Sequence, residues 1–164
     1  MAEPVIHHPN RDKAESKATK AIVVLLLFVS AALVLVITIG GWSALQGGQP
    51  FAFVYALLNV LFAYYVSRWN RGVLPVAAAL AVFFGVLAAI SGTSWFARDK
   101  EGFADPAMDP ALIGLLTFAL VPVQALLVAF AARAFSQRWN VEVEVEEPHS
   151  EPPTRGGAPA PLGA

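Results

Sequence analysis

The sequence predicts an all-α integral membrane protein, in which four transmembrane helices form an antiparallel bundle with both termini in the cytoplasm and disordered tails. Three observations lead to this fold class: charged residues are few, they are absent from four long segments, and lysine and arginine are unequally distributed between the connections. The chain has 164 residues, of which 57% are hydrophobic and 14% are charged, with a mean hydropathy of +0.60. Soluble domains carry about 25% charged residues. The composition therefore excludes an ordinary soluble domain.

Four segments without Asp, Glu, Lys, Arg or His account for the shortage of charge. They cover residues 21–39, 51–67, 73–90 and 112–132. A helix rises about 1.5 Å per residue, so such segments match the hydrocarbon core of a bilayer, which is about 30 Å thick. Backbone amides in lipid must be paired within the segment, and the segments lack the alternation of barrel strands. We therefore expect four transmembrane helices.

Two other interpretations of these segments are weaker. A buried core in a soluble protein would leave the helices without polar faces for water. A cleavable signal peptide would need an apolar run shorter than residues 21–39 and a small-x-small cleavage site, which residues 39–42 do not resemble. We therefore expect the first helix to be retained.

Lysine and arginine predict the orientation of the bundle. Eight basic residues lie before the first segment, between the second and third, or after the fourth: Arg11, Lys13, Lys17, Lys20, Arg68, Arg71, Arg133 and Arg138. The opposite side has only Arg98 and Lys100. Because basic residues are enriched in cytoplasmic loops, both termini are predicted to be cytoplasmic. The usage of Ala, Gly and Pro and the lack of a targeting peptide indicate the inner (plasma) membrane of a bacterium.

The tryptophans lie near the ends of the segments, as interfacial anchors do. Trp42 and Trp95 are predicted at the outer surface, and Trp69 and Trp139 at the inner surface. The last two belong to an Arg-Trp-Asn tripeptide that recurs at residues 68–70 and 138–140. This repeat suggests a duplicated helical hairpin, but the spacing from the preceding proline differs between the halves. Independent interfacial pairs are the alternative explanation.

Outside a membrane domain at residues 12–140, the ends of the chain are predicted to be disordered. Residues 1–11 contain two prolines and no periodicity. Residues 141–147 alternate as a strand does but have no evident partner, and a lone strand is not stable. Residues 141–164 are therefore predicted to form an acidic and then Pro/Gly-rich disordered tail.

Two capping residues are predicted at helix starts. Asp12 with Glu15 resembles a capping box, which would start the first helix near Lys13. Asp109 is expected to cap the fourth helix. The loop before it, residues 91–111, mixes aromatic and charged residues and is predicted to lie on the membrane surface.

Three polar side chains lie near the predicted midplane of the membrane: Ser30, Asn59 and Gln124. An amide in hydrocarbon must find a partner, and interhelical hydrogen bonds of this kind contribute about 0.6–2 kcal/mol each. We predict that the three form an inward-facing polar layer that fixes helix register. A midplane contact with a ligand or quinone is the alternative. Pro122 removes a backbone donor just before Gln124 and predicts a kink, either static or hinged.

The third segment carries small residues at every fourth position, namely Ala77, Ala81, Gly85 and Ala89. Such a stripe lets another helix approach closely. The partner is predicted to be a helix of the same chain, a second copy or another membrane subunit.

The residues that are absent narrow the function. The chain has no cysteine, which excludes disulfides, dithiol redox chemistry and thiolate metal sites. The four segments have no acid, base or histidine for proton coupling or haem ligation. The net charge of −1 argues against a nucleic-acid partner, because nucleic-acid binders carry an excess of positive charge. We expect no enzyme activity, cofactor or metal. The predicted role is that of an accessory, assembly or structural subunit of a membrane complex, and the alternative is a small oligomeric transporter or channel for a neutral solute.

Overall fold

The computed structural model describes residues 5–98 and 105–145. Its elements follow the chain in the order β1 (Val5–His7), α1 (Pro9–Asp12), α2 (Ala14–Gly40), α3 (Gln49–Ser67), α4 (Leu74–Phe96), α5 (Pro110–Ser136) and β2 (Val143–Val145). Short 3-10 turns at Trp42–Ala44 and Arg71–Val73 come before α3 and α4. Apart from the two short strands, the regular structure of the described chain is helical, as predicted.

Four helices are long and apolar enough to cross a membrane: α2, α3, α4 with the turn before it, and α5. This confirms the predicted number of such segments. The helices extend beyond the charge-free segments, since α2 and α5 each have 27 residues. A helix of that length is about 40 Å long. Its ends therefore reach past a hydrocarbon core of about 30 Å.

Of the two residues that were predicted to cap helices, Asp109 does so and Asp12 does not. The Asp109 carboxylate accepts hydrogen bonds from the backbone N–H groups of Ala111 and Leu112, at 2.8 and 3.2 Å. It therefore caps α5, as predicted. The prediction that Asp12 caps the first long helix is wrong. Asp12 ends α1, and α2 begins after Lys13, whose side chain makes no capping hydrogen bond.

Helix α4 is longer than predicted. It continues to Phe96, so the first part of the predicted surface loop at residues 91–111 is helical instead. The reason is tertiary packing of Trp95, whose ring lies so close to Gly41 that an added Cβ would come within 2.6 Å of it. Residues 99–104 of that predicted loop lie outside the described residues.

Helices α2 and α5 each pack against two other long helices, so the packing order is α3, α2, α5 and α4. Helix α2 packs against α3 and α5, and α4 packs mainly along α5. Helices α3 and α4 approach each other much less closely. One buried apolar cluster, which includes Leu27 and Leu74, lies toward the turn between α3 and α4. A second cluster, which includes Ile37 and Trp95, lies toward the turn between α2 and α3.

The two strands pair at the end of the fold that also holds the turn between α3 and α4, which we call the tail end. β1 and β2 form a two-stranded antiparallel sheet. The structure differs from the predicted disorder of residues 1–11 and 141–164 at β1, at α1 and at β2, where it has regular elements. The helices bring β1 and β2 together, so each strand supplies the partner that the other lacked. Residues 1–4 and 146–164 lie outside the described residues.

Side chains reinforce this pairing. Asn10 and Arg11 donate hydrogen bonds to the backbone carbonyls of Arg138 and Trp139, at 3.1 and 2.9 Å. The indole of Trp139 is fully buried and meets the ring of Trp69 edge to face, with centroids 5.2 Å apart. The two Arg-Trp-Asn tripeptides thus pack against each other at the tail end.

Candidate functional site

Three buried polar side chains from three helices form a closed hydrogen-bonded group, which we call the polar triad: Ser30 of α2, Tyr55 of α3 and Gln124 of α5. The Gln124 amide nitrogen donates to the Ser30 hydroxyl at 2.7 Å. The Tyr55 hydroxyl donates to the Gln124 amide oxygen at 3.1 Å. The Ser30 and Tyr55 hydroxyls are 3.2 Å apart, so Ser30 completes the ring by donating to Tyr55.

The triad is removed from the surface and internally satisfied. None of its three members exceeds 3% exposure, and each bonds to the other two. Buried polar groups without partners cost about 1–3 kcal/mol each, whereas a satisfied network fixes a unique arrangement. The triad therefore ties α2, α3 and α5 together at one level.

The structure brings together two of the three residues of the predicted polar layer. Asn59 is buried, but its amide nitrogen donates to the backbone carbonyl of Tyr55 on its own helix, at 2.8 Å. It therefore lies one turn from Tyr55 on α3, and its amide is not part of the hydrogen-bonded ring that joins Ser30, Tyr55 and Gln124. The shared layer of Ser30, Asn59 and Gln124 is in this respect different from the prediction.

Sequence reasoning missed Tyr55. A signal was available, because Tyr55 lies one helical turn before Asn59 and so on the same face of α3. A buried tyrosine hydroxyl also needs a hydrogen-bond partner. By contrast, Tyr64 and Tyr65 are 57% and 44% exposed. Tyr64 and Tyr65 lie near the end of α3, whereas Tyr55 lies further inside the helix and is buried.

An aromatic stack extends from the triad to α4. The rings of Tyr55 and Phe84 are nearly parallel, with centroids 3.3 Å apart. The ring of Phe51 also stacks on that of Phe84, with centroids 5.4 Å apart. These rings bridge α3 and α4, whose backbones are otherwise well separated. The stack thus holds the two helices at a fixed distance.

The gap between α3 and α4 contains a cavity of about 400 Å³, which we call the α3–α4 cleft. It begins at the loop end, the end opposite the tail end, where Ser94 and Arg98 line it. It runs inward to Val34 and Leu120, each four residues from a triad member. The cleft therefore leads from one end of the fold to the neighbourhood of the triad.

The predicted small-residue stripe of α4 faces α5 for most of its length. Ala77 and Ala81 are buried, and an added Cβ on Gly85 would lie 3.3 Å from Cβ of Gln124. Gly85 therefore allows α4 to approach α5 beside the triad. Ala89 is exposed, and Ala88 is buried in its place. The stripe thus serves an internal contact at its start and turns outward at its end.

The outward part of the stripe borders a second cavity of about 470 Å³ on the exposed side of the fold. We call it the α4–α5 groove, and it is lined by Ala81, Val82, Gly85, Val86, Ala89, Val121, Gln124, Ala125 and Val128. Every lining side chain except that of Gln124 is apolar, so the groove suits an apolar occupant.

The remaining predicted residues are Pro122 and the four tryptophans. α5 is continuous through Pro122, and the predicted kink stays a prediction. Trp42 is 52% exposed and Trp69 is partly exposed, and their role as interfacial anchors stays a prediction. Trp95 and Trp139 are 4% and 0% exposed. These last two pack within the protein, and the prediction that they face lipid headgroups does not match their burial.

The polar triad, which lies in the interior of the helical fold, consists of neutral hydrogen-bonding groups. Among residues 5–98 and 105–145, no cluster of three His, Cys, Asp or Glu side chains is placed to hold a metal ion. The triad residues can fix helix positions or contact a neutral group. Comparison with families of proteins, with curated proteins and with solved structures finds no match for this chain.

Proposed function

We propose that this chain is a multi-pass protein of a bacterial inner membrane, with an antiparallel four-helix bundle and both termini cytoplasmic, and that it acts as a non-enzymatic accessory or assembly subunit. The α4–α5 groove is the observation that carries the proposal. It combines small residues with an apolar lining on the outward face of helices long enough to cross a membrane. Such a surface allows close approach of a transmembrane helix.

The occupant that we propose for the groove is a transmembrane helix of another polypeptide. Helix association in lipid depends on close van der Waals packing, because lipid tails are as apolar as leucine. Ala89 and Gly85 remove side-chain bulk where a partner helix would cross α4. The polar triad supports a structural role, because its members bond to one another and keep the groove's floor at Gln124 in a fixed position.

The test is purification from the native membrane in mild detergent, followed by identification of the proteins that travel with the chain. Ala89→Trp fills the exposed groove and is expected to remove the partner. Ile90→Trp is the matched control, since Ile90 is 68% exposed on the same helix and does not line the groove. Recovery of the wild-type chain only as a lone homo-oligomer would contradict the accessory role.

A small oligomeric transporter or channel for a neutral solute is the second candidate. The α3–α4 cleft favours it, because the cleft leads from the loop end toward the triad. Replacement of Gln124 by Leu would remove the polar end of that path. Unchanged solute flux in Gln124→Leu and Asn59→Leu would exclude a path through this layer.

A further inference from the structure

We propose that the α3–α4 cleft takes up one acyl chain of a bilayer phospholipid, from the leaflet at the loop end of the fold. The inference rests on the proposed insertion of the four long helices in a membrane, and not on the accessory role or on the α4–α5 groove. Its support comes from the gap between α3 and α4, from the apolar inner walls of the cleft and from the length of the cleft.

The cleft lies in the gap between two long helices that approach each other only loosely, α3 and α4. Phe51 of α3 and Leu87 of α4 both line the cleft, and they are 53% and 39% exposed. The cleft is therefore open between these helices, on a face that a bilayer would cover where α3 and α4 cross it. An acyl chain can enter from the side, without passing through the protein.

The inner walls suit hydrocarbon and offer little to a polar ligand. Thr38 and Thr117 line the cleft, but each hydroxyl donates to a carbonyl on its own helix, at 2.7 and 2.8 Å. The side chains of the polar triad do not line the cleft, and the surface around the two threonines is formed by Val34, Ile37 and Leu120. A polar ligand would lose its hydrogen bonds to water here without replacement, whereas a hydrocarbon chain has none to lose.

The length of the cleft matches one leaflet of a bilayer. Residues of α4 line the cleft at every turn from Phe84 to Ser94. A helix rises about 1.5 Å per residue, so this part of α4 covers about 15 Å, which is half of a hydrocarbon core about 30 Å thick. The volume of about 400 Å³ also falls in the range of about 300–1,000 Å³ that is usual for ligand pockets. The cleft can therefore hold one chain along its length.

The surroundings of the cleft decide which molecule fills it. An empty space leaves its walls without van der Waals partners, and the bilayer core holds no water that could fill it. Lipid tails are the molecules next to the opening, and they are as apolar as leucine. A neutral phospholipid is therefore sufficient as the ligand, and no charge on its headgroup is required.

The experiment places the full chain in phosphatidylcholine nanodiscs that contain a small fraction of the same lipid with a diazirine at the end of one acyl chain. Illumination cross-links the chain end to its neighbours, and mass spectrometry identifies the labelled residues. We expect label on Val34 and Leu120, which line the inner end of the cleft and are each 5% exposed. Leu57 is 58% exposed and is expected to be labelled by the surrounding lipid.

Leu27 and Leu127 are the matched control positions. They are fully buried on the same two helices as Val34 and Leu120, on the other side of the triad, and they do not line the cleft. We expect no label on them, because a lipid chain has no path to these positions.

Two variants that fill the cleft test the site itself. Ala88 and Ala52 line the cleft from α4 and α3, so Ala88→Phe and Ala52→Phe are each expected to lose the label at the inner end and to keep the label on Leu57. Ala89→Phe is the matched control variant, because Ala89 is exposed on α4 and does not line the cleft. Equal retention volumes and unfolding midpoints establish which variants are folded, and either filled variant alone is sufficient for the test.

The outcomes separate the cleft from the membrane placement. Label on Leu57 without label on Val34 and Leu120 would overturn the cleft as a lipid site and leave the membrane placement standing. Equal label on Leu27 and Val34, or unchanged label at Val34 in a folded filled variant, would also overturn it. Absence of label from Leu57 as well would overturn the membrane placement and, with it, the inference.

Discussion

Replacement of Gln124 by leucine tests whether the polar triad holds the helices together. The substitution keeps a side chain of similar size and removes two interhelical hydrogen bonds, those to Ser30 and Tyr55. Such bonds in membrane proteins average about 0.6 kcal/mol and reach about 1.7 kcal/mol. The Ser30 and Tyr55 hydroxyls remain 3.2 Å apart and can still pair. We therefore expect the free energy of unfolding to fall by about 1–2 kcal/mol.

Asn59→Leu is the matched control, because it also converts a buried amide to leucine. The amide nitrogen of Asn59 bonds to its own helix, so we expect a loss below about 0.6 kcal/mol. The assay is reversible unfolding in mixed micelles, followed by circular dichroism. A double-mutant cycle of Gln124→Leu with Ser30→Ala is expected to give a coupling energy of about 0.6 kcal/mol. No coupling, or a larger loss in Asn59→Leu than in Gln124→Leu, would refute the assignment of the triad as the interhelical link.

Three further predictions concern the ends of the fold. Trp139→Ala removes a fully buried indole and is expected to lower the free energy of unfolding by about 3–5 kcal/mol, as the same assay measures; a loss below about 1 kcal/mol would contradict its burial. Asp109→Ala removes the cap of α5 and is expected to cost about 1 kcal/mol, whereas Asp109→Asn retains an acceptor and should cost less. For orientation, an impermeant thiol reagent is expected to label Thr93→Cys on intact cells and Lys17→Cys only after lysis, both positions being exposed in the fold; the reverse pattern would invert the proposed topology.

The sequence was sufficient to predict the number of long apolar helices, because lipid-crossing segments are defined by length and by the absence of charge. Asp109 was also predictable, since an acidic residue before an apolar run is a local signal. Asp12 gives the same local signal but lies in α1, where the chain turns toward the strands. Tertiary contacts decided that outcome, and a local pattern contains no information about them.

The same limit explains the candidate site. Depth in the membrane placed Ser30 and Gln124 at one level, and the structure brings them into contact. Depth could not show the rotation of α3, which turns the Tyr55 hydroxyl inward and leaves Asn59 bonded to its own backbone. The burial of Trp95 also depends on rotation, because it packs on Gly41 across the loop end. Helix rotation arises from packing against neighbours, which residue spacing alone does not encode.

The pairing of β1 with β2 makes this small sheet a reporter of bundle assembly. Two three-residue strands separated by more than a hundred residues cannot hold each other in an unfolded chain, because the entropy of closing so long a loop exceeds what so few hydrogen bonds supply. The packed helices must first bring the strands together. A donor and acceptor dye attached at Ile6 and Val143 would therefore show high energy transfer only in chains whose four long helices have already assembled.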